Sequence, residues 1–313
     1  MKIAILILDE VLKSTAYGID ELFNLNNKIS KSKDEEEIIT EFVGLSSNRY
    51  FNCKDISNKQ IYEVIIIPPT SRNQKFNINK KIIDWLIYQH YKGAILTSAC
   101  LGSFILAKTK LLDGKKATTH WAYEELFKKE FPNIDLKVDK ILVDEKSIIT
   151  AGGVNAYLDL CLYIIEKFHS NKTSTQIANL MLIDRGRDSQ QSYKSFSTIF
   201  LYDDKQIKQS VIWMKENIHK QISIKDVANE INLTLKTFNR RFKKSLNTTA
   251  IKYLQDLRVE KAKELLISTN KSFAQITFEV GYFDENSFRK LFKSKTSINP
   301  MDYRKKFKQY IYF

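Results

Sequence analysis

Two stretches in the last third of the chain repeat one pattern. Ile224, Val227, Ile231 and Asn232 align with Phe273, Ile276, Val280 and Gly281 at a constant offset of 49 residues. Beyond the turn, Phe238, Phe242, Lys243 and Tyr253 align with Phe288, Phe292, Lys293 and Tyr303 at an offset of 50. One residue is gained in the second turn and nothing else shifts. Apolar residues at helical spacing, broken once by a residue that tolerates left-handed backbone, predict two helix-turn-helix units.

The flanking residues fix the details. Ile207, Val211, Met214 and Ile218 predict a helix over 207–218. Ser223 then caps a helix over 224–231, Asn232 makes the turn, and Thr234 caps the next helix, 235–245. The second copy reads as helix 273–280, a turn at Gly281, Asp284 as cap and helix 285–293. Phe238 and Phe242, four residues apart, point inward, as do Phe288 and Phe292. Lys236, Thr237, Asn239, Arg240 and Lys243 are left for the open face of the first copy, and Asn286, Arg289, Lys290 and Lys293 for that of the second. Residues 249–267 contain few helix breakers and predict a long helix that holds the two units at fixed separation.

The charge follows the repeat. The formal net charge is +14. From Lys205 to Phe313 there are 23 Lys and Arg against 10 Asp and Glu, leaving 27 and 26 before it. A basic domain joined to a neutral one suits a polyanion reached by one end of the molecule. Open-face Arg and Lys can read guanine, Asn can pair with adenine, and further Lys residues contact phosphate. Double-stranded DNA is the expected partner, with two recognition helices about 34 Å apart entering successive major grooves.

The first two-thirds read differently. The short apolar runs 2–8, 62–68, 94–99 and 147–151 alternate with helical patterns. In 78–91 the stripe is Ile82, Ile83, Leu86 and Ile87; in 155–169 it is Leu158, Cys161, Leu162 and Ile165. Trp85, Tyr88 and Tyr91 are expected to pack, and the acidic run Asp34–Glu37 to be solvated. This alternation predicts an α/β, flavodoxin-like domain whose parallel sheet is covered on both faces. Ligands of such sheets bind beyond the carboxyl ends of the strands. The informative junction is AILTSACLGSFILA, 94–107: a strand ends, Cys100 follows, and Gly102 and Ser103 open a helix. Small residues around a turning cysteine are what a nucleophile elbow requires. Cys100 could be a nucleophile with His120 as base or Glu21 as acidic partner.

The three cysteines, Cys53, Cys100 and Cys161, are widely spaced and form no CxxC pair, so no disulfide framework or zinc site is expected. No His or Cys beside His120 has metal spacing, and no cofactor is indicated. The apolar run from Ile3 to Leu8 stops at Asp9 and Glu10, which is not the pattern of a signal peptide, and no run reaches the ~20 apolar residues of a membrane span. A cytoplasmic, reduced protein without membrane partners is expected. Residues 184–206 lose periodicity and predict a docking arm with a short linker, giving domains at 1–195 and 207–313 around a linker at 196–206.

Residues 94–107, 111–121 (LLDGKKATTHW) and 150–154 (TAGGV), with Gly18, Glu21 and Phe23, resemble the PfpI-type, class I glutamine-amidotransferase-like superfamily over about 1–195. Three positions depart from its catalytic members. Leu101 stands where the hydrolases carry His, Thr15 where related isonitrile hydratases carry an acid, and Pro68-Pro69-Thr70 where a Pro-Gly-Gly loop lends N–H groups to an oxyanion. Proline has no N–H to lend. No catalytic residue is therefore assigned. The alternative is a cysteine-dependent hydrolase or hydratase using Cys100 with an accessory DNA-binding domain. Glu21, Thr70, Cys100, Leu101, His120 and Trp121 are instead candidates for an effector pocket.

The last hundred residues, about 207–307, resemble the AraC/XylS family of transcription regulators. Tyr253, Arg258, Ala262 and Leu265 match its linking helix, and Gly281, Phe288, Phe292, Pro300, Tyr303 and Arg304 its second half. Ala250 departs from it where proline is frequent. Together the two parts resemble the GlxA-like branch of that family. The resemblance implies a DNA-binding regulator controlled by a small molecule, such as an amine, amino acid or amide. It also implies a homodimer, with RNA polymerase as a further partner.

Overall fold

The computed structural model describes residues 1–30, 37–47, 49–71, 78–195 and 204–308. Most of the acidic run (34–36) and most of the expected linker (196–203) lie outside the described residues. The chain divides into two compact units, Met1–Gln190 and Gln191–Phe313, so the division falls five residues before the expected end of the first domain.

In chain order the first unit contains β1 (Lys2–Leu6), α1 (Lys13–Ile29), β2 (Ile39–Gly44), β3 (Lys54–Asp55), β4 (Val64–Ile67), α2 (Lys80–Tyr91), β5 (Ile95–Ala99) and α3 (Gly102–Lys108). There follow β6 (Lys116–Ala117), α4 (Glu124–Glu130), β7 (Asp135–Leu136), β8 (Leu142–Asp144), β9 (Ile148–Ala151), α5 (Ala156–Phe168) and α6 (Asn171–Leu180). Among the described residues one sheet runs β3-β2-β1-β4-β5-β9-β8, and β6 pairs with β7 separately. The large sheet is parallel except for β8, which lies antiparallel to β9. Its register places Ile3 opposite Val64, Ile65 opposite Leu96, and Leu96 opposite Ile148.

The apolar residues of β1, β4 and β9 are buried because the sheet is covered on both faces. Ile3, Ile5, Val64 and Ile66 pack with Ile19, Leu22, Leu160 and Ile164. The alternate residues Ala4, Leu6, Ile65 and Ile67 pack with Ile82, Leu86, Phe104 and Ile105. Helix α2 turns slightly from the expected stripe. Its buried residues are Ile82, Trp85, Leu86 and Gln89, while Ile87, Tyr88 and Tyr91 are exposed. Gln89 explains the rotation: its amide bonds the backbone of Gln60 and Tyr62, which draws that face of the helix inward.

The second unit is helical: α7 (Lys205–Glu216), α8 (Ile224–Glu230), α9 (Leu235–Leu246), α10 (Ala250–Ser268), α11 (Phe273–Glu279), α12 (Glu285–Thr296) and α13 (Pro300–Phe307). Asp204 caps α7, so helix begins inside the expected linker. Each helix-turn-helix has its own core. Phe238, Phe242, Val227 and Tyr253 belong to the first, and Phe288, Phe292, Ile276 and Tyr303 to the second. Helix α10 joins them over 19 residues, about 28 Å at 1.5 Å per residue.

Candidate functional site

The elbow of the first unit forms where the carboxyl ends of neighbouring strands meet. Cys100 follows β5 in left-handed backbone geometry, φ 56°. A non-glycine residue held there costs on the order of 1–3 kcal/mol and needs support from its surroundings. Here the Cys100 N–H donates to the Ala151 carbonyl at 2.8 Å. The Cys100 carbonyl accepts from Ser103 Oγ at 2.8 Å and Thr119 Oγ1 at 3.1 Å. Gly102 lets the turn close: a Cβ there would stand 2.7 Å from the Ile67 carbonyl oxygen.

The thiol is buried. Burial pushes its pKa up to about 11, opposed only by the Leu101 backbone N–H. Among the described residues, no imidazole or carboxylate shifts it. Leu101 is buried beside it. On the neighbouring strand end, the loop Pro68-Pro69-Thr70 is pinned to the β1–α1 connection, where Leu12 N–H donates to the Pro69 carbonyl at 2.9 Å and Val11 bridges Thr70. Thr70 is buried, and its Oγ1 has no hydrogen-bond partner among the described residues. Thr15, in the position of the missing acid, is buried and donates to the Leu12 carbonyl at 2.6 Å.

His120 and Trp121 lie just after Thr119, so the backbone brings them toward the elbow. His120 Nδ1 accepts from the Ala122 N–H at 3.1 Å and caps a short 3-10 turn, Trp121–Tyr123. In the neutral ring that leaves the proton on Nε2. Burial lowers the His120 pKa. The ring lies 5.4 Å from that of Trp121. Glu21 is exposed on α1, whereas Cys100 is buried.

One residue of this site has no signal in the sequence. Gln190 is buried, and its Nε2 faces the carbonyls of Thr119, Val138 and Lys140 at 2.9–3.0 Å, while its Oε1 accepts from the Trp121 N–H at 3.3 Å. Gly152 is glycine because of it, since a Cβ there would meet the Gln190 amide nitrogen at 1.9 Å. Gln190 is also the last residue of the first unit.

In the second unit, side-chain caps set each recognition helix. Thr234 Oγ1 accepts from the Thr237 N–H at 3.2 Å, and Asp284 accepts from the N–H groups of Asn286 and Ser287 at 3.1 Å each. The supporting helices start with capping boxes, Ser223 with Asp226 and Ser272 with Gln275. Asn232 and Gly281 turn with φ 55° and 78°. On α9, Lys236, Asn239, Arg240 and Lys243 are exposed and Thr237 is half-buried. On α12, Asn286, Lys290 and Lys293 are exposed. Arg289 is held: it ion-pairs with Glu285, and its guanidinium lies over the Phe273 ring at 5.0 Å. Among the described residues, no group of three or more His, Cys, Asp or Glu could hold a metal, and no helix is long and apolar enough to cross a membrane.

Comparison with known proteins agrees with both halves. Residues 1–167 match the DJ-1/PfpI family and residues 227–306 a helix-turn-helix domain. The HTH-type transcriptional regulator CdhR of Pseudomonas aeruginosa is 25% identical over 71% of this chain and 66% of its own length. GbdR of the same species, also an HTH-type transcriptional regulator, is 24% identical over 73% of this chain and 62% of its own. The chain thus spans less than two thirds of these relatives. A solved Vibrio parahaemolyticus protein, described as a transcriptional regulator, shares the fold at 18% identity, with a TM-score of 0.52 over 58% of this chain and 98% of its own. The chain belongs to the DJ-1/PfpI family and also carries an AraC-type helix-turn-helix domain.

Proposed function

We propose that this protein is a sequence-specific DNA-binding transcription regulator. Helices α9 and α12 read two different half-sites, and the first unit binds a small effector and forms a homodimer. The observation that carries this reading is the pair of capped helices, each burying a phenylalanine stripe and turning basic and Asn side chains to solvent: Lys236, Asn239 and Arg240 on α9, Asn286, Lys290 and Lys293 on α12. Such faces match what major-groove readout requires. The relatives' names support it. A mobility-shift assay at stated salt, on DNA upstream of this gene and its neighbours, tests it. A specific complex that survives non-specific competitor is expected, and its absence with every fragment sinks the reading.

The effector site rests on the buried Thr70 hydroxyl, Cys100 and Leu101 at the ends of the adjacent strands β4 and β5, with the His120–Trp121 pair just beyond Thr119. A thermal-shift screen with amines, amino acids and amides tests it. A stabilising compound must also change DNA affinity, because an effector acts only through differential affinity for two states. RNA polymerase is the proposed downstream partner and the cytoplasm the proposed location. Burial that raises the Cys100 pKa to about 11 speaks against a thiolate nucleophile, and so against the hydrolase reading. Turnover that disappears in Cys100→Ala would restore it.

A further inference from the structure

The residue gained in the second turn can be identified. Leu233 N–H donates to the Ala228 carbonyl, and Tyr282 N–H donates to the Thr277 carbonyl. Both pairs are related by the offset of 49, so Tyr282 corresponds to Leu233. The caps Thr234 and Asp284 are related by 50. Phe283 lies between them and has no counterpart in the first copy.

The insertion changes what the turn presents. In the first copy Leu233 packs on the core just before the cap. In the second, Tyr282 takes that place, with its ring 4.6 Å from that of Phe288. Phe283 is turned out and is 63% exposed. It packs edge-on to Phe278 at 5.3 Å and 81°, and Phe278 is itself 65% exposed on α11. The position matching Phe278 in the first copy is Asn229. The second reader therefore carries an exposed aromatic pair that the first lacks, directly before the N-terminus of α12.

We propose that Phe278 and Phe283 form an apolar base-reading contact that recognises thymine methyl groups in the half-site bound by α12. This inference rests on the DNA-binding reading above. The N-terminal residues of a recognition helix meet base edges, and the thymine methyl is the apolar feature of the major groove. The neighbouring carboxylates each have a partner: Glu279 with Lys271 at 2.5 Å, Glu285 with Arg289, and Asp284 with the start of α12. The contact also gives the second copy a readout that does not depend on Arg289.

The test uses the full-length protein and an operator selected from random duplex DNA. Each thymine is replaced in turn by deoxyuridine, which removes only the methyl group. Wild type is expected to lose about fourfold in affinity at one or more thymines of one half-site, the effect of one buried methyl. Phe283→Ala and the double variant Phe278→Ala/Phe283→Ala are expected to bind thymine and uracil operators equally. Phe283→Leu, which keeps apolar bulk, retains part of the preference. Circular dichroism confirms that the variants fold. Equal methyl dependence in wild type and variants overturns the proposal. So does a variant that binds its operator normally but fails to support transcription, since that outcome assigns the pair to a protein partner. Failure of wild type to select any operator overturns the DNA-binding reading itself, a separable result.

Discussion

Arg258, on the linking helix α10, donates through Nη2 to the carbonyl of Lys220 at 2.9 Å. Lys220 precedes the first supporting helix, and the same guanidinium covers the ring of Tyr282 in the second turn at 5.1 Å. One side chain thus ties both helix-turn-helix copies to the helix between them. Gly281 completes the junction, since a Cβ there would stand 2.5 Å from the Ile218 carbonyl oxygen and 2.6 Å from that of Lys220. Arg258 is 8% exposed, and burial lowers its pKa.

Arg258→Ala is expected to destabilise the second unit by about 2–3 kcal/mol, the range for losing a hydrogen bond to a charged group with packing around it. Gly281→Ala is expected to cost about 2–5 kcal/mol, from left-handed strain together with overpacking. Hydrogen-exchange mass spectrometry on peptides of 204–308 reads both. Unchanged protection in both variants would show that the copies are held by other contacts.

Asp204 carries two duties. Its carboxylate caps α7, and it receives Arg241 Nε at 2.8 Å and Nη2 at 2.6 Å. Arg241 is thereby withdrawn from the basic face of α9, and the Arg241 hydrogen bond holds Asp204 below the usual carboxylate range. Because the folded pKa is depressed, this contribution is present above the ordinary value near 3.8 and is lost as pH falls through the lowered one. Asp204→Ala is expected to cost about 1–2 kcal/mol at neutral pH, chiefly the cap. Asp204→Asn, which can still cap, should recover part of that loss in a urea titration.

His120 titrates in the same sense, in a higher pH window. Its folded pKa is lowered from 6.5 by burial, so the unfolded chain binds the proton first. Stability therefore falls as pH drops from about 7 through 6.5 toward the depressed value. His120→Asn keeps an acceptor for the Ala122 N–H and removes the titration. Its melting temperature is expected to vary less than that of wild type between pH 7 and 5. An equal slope in both proteins would place the dependence elsewhere.

Local signals explain what was legible in the sequence. Ser223, Thr234 and Asp284 cap helices, and Asn232 and Gly281 turn left-handed, because those choices depend on a few neighbouring residues. The alternating sheet was legible for the same reason. Gln190 was not, because its role is set by partners about 50 to 70 residues away. Strand β8 has no fully buried residue and pairs antiparallel at the sheet edge, so it lacks the continuous apolar signal of its neighbours. Arg289 looked free by helical spacing; Glu285 and Phe273 hold it, and Phe273 lies on a different helix.

Gln190 gives a prediction for the first unit. Replacing it by Ala leaves the Thr119 and Val138 carbonyls and the Trp121 N–H short of a partner, while the Lys140 carbonyl keeps Thr118 Oγ1. Unsatisfied buried groups cost about 1–3 kcal/mol each when water cannot enter. Gln190→Ala is expected to lower the melting temperature and to expose the Trp121 peptide to hydrogen exchange. Gln190→Glu retains the acceptor for Trp121 but turns a carboxylate toward three carbonyls, so it should be at least as disruptive. A tolerated Gln190→Glu would mean that the side chain is not held in this position.

The two readers should fail differently. Arg240 is exposed on α9, and Lys290 occupies the matching place on α12, at the offset of 50. Arg can form a bidentate pair with guanine, worth about 1–3 kcal/mol of discrimination, whereas Lys is a point charge on a flexible stem. Arg240→Ala is expected to relax preference at one base pair of one half-site, with a loss of about 5- to 100-fold on the best operator. Lys290→Ala should act on the other half-site with a smaller effect, because the neighbouring Arg289 is engaged with Glu285 and Phe273. Specificity profiling of the three proteins on a randomised operator measures both effects. A uniform loss of affinity in both variants, with the base preference intact and a shallower salt dependence, would identify Arg240 and Lys290 as phosphate contacts.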